Sequence, residues 1–199
     1  MMKKIEELLR KKMLSNTSKR CVVFPTANGR RRTRRHLAEF LGEVNYNKGA
    51  EIGVRLGRFS RYLCSKNPNL KLYCIDPWDA YNTKYPLPKQ ERIYQRFLKD
   101  TKGLNIEVMR MTSMEGVTKF EDKFLDFVFI DGNHKFDFVM EDLLYWPKKV
   151  KSGGLIIVHD FYPFDDCGVW NAVKAYVHSH NLRCYATKEH EPTAYWVNP

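Results

Sequence analysis

Two short stretches set an imidazole beside a carboxylate directly after an apolar run: Asp131-Gly132-Asn133-His134 and His159-Asp160. A carboxylate and a histidine three residues apart make a proton-handling pair. The ordinary histidine pKa, about 6.5, suits proton transfer near neutrality, so His134 is the candidate general base. Asp131 and Asp160 are two acids from neighbouring runs, with His159 beside them, and such a set can collect a hard divalent cation such as Mg²⁺. A side chain at His159 that only hydrogen-bonds the backbone is the competing reading.

The remaining chemistry-bearing residues also follow apolar runs. Glu51-Ile52-Gly53-Val54-Arg55-Leu56-Gly57 ends one run, and its glycines allow a tight turn and close approach of backbone to a ligand. Glu51 is placed to receive an ammonium group. Asp76 lies 25 residues past Glu51, where an acid commonly accepts ribose hydroxyls in nucleoside-binding sheets. Trp78 offers a ring that either covers an adenine face or caps the edge of the core. After the next run, Thr112 or Ser113 is available on the adenine side.

These positions share a logic only if the runs are strands of one sheet, because ligands of open α/β sheets bind beyond the carboxyl ends of the strands. The pattern supports that. Strand-like runs at 49–54, 70–75, 106–109, 125–130 and 155–158 alternate with helical spacing at 58–65, 89–99, 136–145 and 169–178. Apolar residues at Phe136, Val139, Met140, Leu143 and Leu144 form one stripe of a helix that Pro147 helps to end. Alternation of this kind predicts βαβ units and a mostly parallel sheet. Two last runs, 184–186 and 194–197, are close enough in sequence to form an antiparallel pair.

Taken together, Glu51-Ile-Gly53-Val-x-x-Gly57-x-x-Ser60, Ile-Asp76-Pro-Trp78, Ile-Asp131-Gly-x-His134 and Asp142-Leu-Leu-Tyr-Trp146…Gly153-Gly154…His159-Asp160 resemble class I S-adenosylmethionine-dependent methyltransferases. Within that class they are similar to the metal-dependent O-methyltransferase branch that includes the macrocin and mycinamicin sugar methyltransferases. The resemblance covers about residues 36–199. It implies a Rossmann-like, doubly wound α/β fold: a seven-stranded sheet, mostly parallel, with an antiparallel last strand. It places Glu51, Gly53 and Gly57 around the methionine part of S-adenosylmethionine, Asp76 on the ribose and Ser113 by the adenine. Asp131 and Asp160 become metal ligands, Asp131 also bordering the cofactor, with His159 where the family often has an acid. His134 becomes the base. The departure at His159 weakens a hard-cation site. The acceptor implied is a small hydroxylated molecule, sugar-like or a natural product, and the stretch 79–88 is expected to be a lid, with Tyr81, Tyr85 and Tyr162 near the mouth.

Composition sets the outer limits. The 199 residues, 43% hydrophobic and 29% charged, fit one globular domain. No apolar run reaches the ~20 residues of a membrane span, and the start of the chain lacks a signal peptide's apolar centre. Five scattered cysteines with no CxxC pair predict reduced thiols and a cytoplasmic location. The net charge of +11 is uneven: residues 1–36 hold twelve basic and two acidic residues, the remainder 22 and 21. The sequence therefore divides into a basic, helical N-terminal appendage (1–36) and a cofactor-binding domain (37–199). The run Arg30-Arg31-Arg32-Thr33-Arg34-Arg35 is either a contact for nucleic acid or another acidic partner, or a solvated helix face. Two other functions stay open at this level: a nucleic-acid methyltransferase, and a cofactor-binding module without turnover.

Overall fold

The apolar runs do form strands, and they are buried because helices cover both faces. The computed structural model describes residues 2–13, 21–23, 33–79, 86–164 and 167–199. β2 (Lys48–Ile52), β3 (Lys71–Ile75), β4 (Ile106–Met109), β5 (Leu125–Ile130), β6 (Val150–Val158), β7 (Cys184–Ala186) and β8 (Ala194–Val197) are the seven expected strands, and β1 (Cys21–Val23) adds an eighth. Their order across the sheet is β1-β7-β8-β6-β5-β2-β3-β4. β8 runs antiparallel to both β6 and β7, while the other pairs are parallel. From β2 the chain winds outward through β3 and β4, then crosses back to β5 and β6. The switch point therefore lies between β2 and β5, where a ligand crevice forms in such sheets.

Seven helices are described: α1 (Met2–Met13), α2 (Arg34–Glu43), α3 (Arg58–Lys66), α4 (Leu87–Asp100), α5 (Ser113–Val117), α6 (Phe136–Lys149) and α7 (Val169–Ser179). Successive side chains of a strand point to opposite faces, so each central strand feeds two cores. Phe127 and Phe129 of β5, with Leu155 and Ile157 of β6, pack among Leu9, Leu37, Leu41, Leu63 and Phe97 of α1 to α4. Val128 and Ile130, with Ile156 and Val158, pack among Val117, Val139, Leu143, Trp146 and Val173 of α5 to α7.

Register positions the site. Ile52 pairs with both Ile75 and Ile130, Ile75 with Met109, and Ile130 with Val158. Five strands thus end in line. The residues that follow them, Gly53, Asp76, Arg110, Asp131 and His159, open five loops in one row across the sheet, with roughly 5 Å between neighbouring strands.

Three features depart from the sequence reading. α6 continues past Pro147 to Lys149; the Asn198 side-chain amide donates to the carbonyls of Pro147 and Val150, at 2.9 and 2.8 Å, and so satisfies the helix end. α5 was not expected. Residues assigned to an appendage contribute a helix and an edge strand to the body: Ile5 and Leu9 of α1 are buried in the core with Leu37 and Phe40, and β1 pairs with β7. Of the arginine run, Arg30 to Arg32 lie outside the described residues, as do Tyr81 and Tyr85 of the expected lid.

Candidate functional site

The loop after β2 is shaped by two glycines in the left-handed region. Gly53 has φ +82°, and a Cβ there would lie 2.1 Å from the Asp131 carbonyl oxygen, so the loop presses against the tip of β5. Gly57 (φ +64°) precedes α3, and its missing side chain admits the ring of Phe97. Arg55 and Trp78 also have positive φ, at 54° and 44°, a conformation that costs energy in non-glycine residues and persists only where neighbours enforce it. Asp76 is that neighbour. Its carboxylate accepts from the backbone N–H of Val54 and Arg55, both at 2.9 Å, and of Trp78 at 2.7 Å. Trp78 itself is 1% exposed; its indole N–H donates to the Arg55 carbonyl at 2.9 Å, and its ring lies on Tyr94 and Phe97. It thus packs on the core edge, and it also borders the groove beyond β3 and β4.

Glu51 is 2% exposed on β2. Its carboxyl accepts from the Ser60 hydroxyl at the start of α3, and among the described residues no lysine or arginine pairs with it. Burial pushes its pKa up to about 8, with Ser60 opposing and Asp131 and Asp76 adding to the rise. The charge of Arg34 also works against the rise, from beyond ion-pair contact.

The tips of β5 and β6 carry the ionisable cluster. His134 Nε2 lies 3.4 Å from Asp131 and 3.3 Å from Asp160, and His159 Nδ1 lies 3.4 and 3.1 Å from the same two carboxylates. Burial disfavours a charged His159, but the two carboxylates outweigh it and lift its pKa to about 9. Burial likewise opposes ionisation of Asp131, yet His134 and His159 hold its carboxyl below the usual value. The hydrogen bond and charge of Asp131 raise His134. The histidines differ in access: the His134 side chain is 36% exposed and that of His159 only 4%. His134 Nε2 is buried against the carboxylates, which leaves Nδ1 as the nitrogen turned to other work. Asp160 has φ +56°, so backbone strain recurs at this third strand end.

One residue of the cluster escaped the sequence reading. Arg34, the first residue of α2, bonds His159 Nε2 through its guanidinium, which also stands 5.8 Å from the Phe59 ring centre. Its backbone N–H donates to Glu189 at 2.7 Å, and Thr33 caps the helix in a reciprocal pair with His36. A threonine before the apolar spacing of α2 was the legible signal of a helix start; the charge of the run concealed it.

Ser113, expected beside the adenine, opens α5 and is bound inward: its hydroxyl donates to Asp142 and accepts from the Trp146 indole at 2.7 Å. Next to it, beyond β3 and β4, a groove of about 460 Å³ is lined by Pro77, Trp78, Asp79, Arg110, Met111, Thr112 and Glu115. That volume lies within the range of small-ligand sites, and its lining comes from the loops after β3 and β4. The groups that suit a nucleoside with an ammonium group, a carboxyl at Glu51 and a second at Asp76, lie at the ends of the adjacent strands β2 and β3. A hard divalent cation fits poorly. Asp131, His134 and Asp160 converge closely enough to share an ion, but Mg²⁺ prefers oxygen ligands throughout and here two imidazoles already bridge the carboxylates.

A model of the family described as methyltransferase domain matches residues 50–161. Among curated proteins, none matches. Among solved structures, a candidate caffeoyl-CoA O-methyltransferase from Staphylococcus aureus superposes with a TM-score of 0.61 at 15% identity, over 100% of this chain and 92% of that one. An O-methyltransferase family protein from Burkholderia thailandensis gives 0.60 at 11% identity, over 83% of this chain; this chain spans only 55% of that protein's length. Spermidine synthase from Thermotoga maritima gives 0.58 at 16%, over 82% and 57%. At such identities the likeness is one of fold. Among the described residues, no helix is long and apolar enough to cross a membrane.

Proposed function

We propose that this chain, which belongs to the methyltransferase-domain family, transfers the methyl group of S-adenosylmethionine to an oxygen of a small hydroxylated acceptor. The observation that carries the reading is the register of the strand ends. It brings the buried Glu51, the tight Gly53 loop and the Asp131–His134–Asp160 cluster to the ends of neighbouring strands beside the switch point.

When bound, the cofactor supplies an electrophilic methyl on a positively charged sulfur. The chain's residues do the rest. Glu51 takes the ammonium of the methionine part, and Gly53 and Gly57 let the backbone approach it. Asp76, already braced against the loop, offers its remaining lone pairs to the ribose. Asp131 and Asp160 hold the Nε2 side of His134, so Nδ1 keeps a lone pair for the acceptor hydroxyl. With an acceptor hydroxyl held in line with the methyl group, His134 would take up the hydroxyl proton at Nδ1. Holding donor and acceptor in line supplies much of the acceleration. Beyond β6, Tyr162 and Phe164 stack with centroids 4.4 Å apart, and Phe164 is 43% exposed; such a platform suits a sugar or aromatic ring.

Calorimetry with S-adenosylhomocysteine tests the binding half, and the reading falls if no heat of binding is seen. The chemical half is tested by His134→Ala, which should leave S-adenosylhomocysteine affinity within about twofold while turnover drops roughly 100-fold or more. Of the arginine run that motivates a nucleic-acid acceptor, Arg34 turns into the site and Arg35 lies over Tyr62 at 5.2 Å.

A further inference from the structure

An α-amino acid carries opposite charges on one carbon, so a site that recognises it needs a cation as well as an acid. We infer that the Arg34 guanidinium receives the carboxylate of the cofactor's methionine part while Glu51 takes its ammonium, and that the site thereby selects the intact amino acid over a nucleoside lacking that carboxylate. The inference rests on the cofactor reading above and adds to it the partner of the second charge.

Three observations carry this. The first is that both residues border the same pair of rings. Glu51 of β2 stands opposite Phe129 of β5 in the register, so the two side chains share one face of the sheet. His159 lies beside Phe129, with ring centres 6.1 Å apart. Over this face the Arg34 guanidinium bonds His159 Nε2 and stands 5.8 Å from the centre of the Phe59 ring, which packs on Phe129 at 4.3 Å. The residue after Phe59 is Ser60, whose hydroxyl donates to Glu51.

The second is the separation kept between the charges. Among the described residues Glu51 and Arg34 form no ion pair, yet the charge of Arg34 reaches Glu51 and works against the rise of its pKa. Opposite charges within reach of each other but held out of contact are what a zwitterion needs on its two sides. The third is that Arg34 is held in place with donors to spare. It opens a capped helix, its backbone N–H donates to Glu189 at 2.7 Å, and Glu189 accepts in turn from the Thr187 hydroxyl at 2.8 Å. The guanidinium meets His159 through Nη1, and among the described residues no carboxylate forms an ion pair with Nε or Nη2. A planar fork of N–H donors matches the two oxygens of a carboxylate, and a side chain already positioned loses little further freedom on binding one.

The test compares two ligands by calorimetry: S-adenosylhomocysteine and its decarboxylated form, which keeps the ammonium on an aminopropyl chain. Wild-type protein is expected to bind S-adenosylhomocysteine roughly tenfold or more tighter. Arg34→Met should abolish that preference, weakening S-adenosylhomocysteine roughly tenfold while the decarboxylated ligand stays within about twofold. Arg34→Lys should recover part of the loss, whereas Glu51→Gln should weaken both ligands. The wild-type comparison holds whether or not the Arg34 variants fold. Equal wild-type affinity for the two ligands overturns the inference, as does a folded Arg34→Met protein that loses both alike. Absence of heat with either ligand is a different result: it brings down the cofactor reading, and the inference with it.

Discussion

At the scale of single residues, Glu51 is the side chain whose environment makes the sharpest demand. Its pKa rises from 4.5 to about 8 chiefly through burial, so between those values the folded protein holds a proton that the unfolded chain has lost. Stability from this group is fully present below about pH 4.5 and is lost as pH rises through 8, at about 1.4 kcal/mol per pH unit in the steepest part. Glu51→Gln removes the ionisation and keeps an acceptor for Ser60. We expect the apo variant to melt several degrees above wild type at pH 8.5, with little difference at pH 4.5. We also expect it to lose roughly tenfold or more in affinity for S-adenosylhomocysteine, because the ammonium group loses its counter-charge. A variant that melts lower at both pH values would show that the carboxylate, not the burial, dominates here.

At the scale of elements, legibility followed length and period. The strands could be read because doubly covered parallel strands are continuous apolar runs, as β5 shows with every residue buried. Their common end line could not, since register belongs to pairs of strands and no single run encodes it. The site was correspondingly half visible: the residues after each run could be named, but not that Asp76 would hold the loop after β2. Helix α5 is five residues long, too short for a period, although Thr112 and Glu115 form a capping box in plain view. Its place follows from a buried knot. Ser113 donates to Asp142 and accepts from Trp146, and burial pushes Asp142 up to about 7. Ser113→Ala leaves Asp142 and the indole N–H without this partner, which should cost about 1–3 kcal/mol of stability while S-adenosylhomocysteine affinity stays within about threefold. A tenfold loss of affinity at unchanged melting temperature would move the hydroxyl to the adenine.

At the scale of the whole molecule, linear charge and folded charge tell different stories. Nearly all of the +11 falls in residues 1–36, which reads as a separate basic arm. Folding divides that arm by side-chain type. Ile5 and Leu9, four residues apart, turn one face of α1 onto the sheet, where Leu9 is fully buried; Arg34 turns into the strand-tip cluster. A few apolar positions at helical spacing outweigh the surrounding lysines, because each buried leucine contributes about 2 kcal/mol and each solvated lysine almost nothing to where the helix sits. If α1 is part of the cooperative body, Leu9→Ala removes a filled core position and should destabilise the entire chain by about 2–5 kcal/mol. The loss should appear as one transition by both far-ultraviolet ellipticity and tryptophan fluorescence, since Trp146 and Trp196 lie in the opposite core. An independent arm would instead melt early in ellipticity alone, leaving the fluorescence transition of those tryptophans where it stands in the wild type.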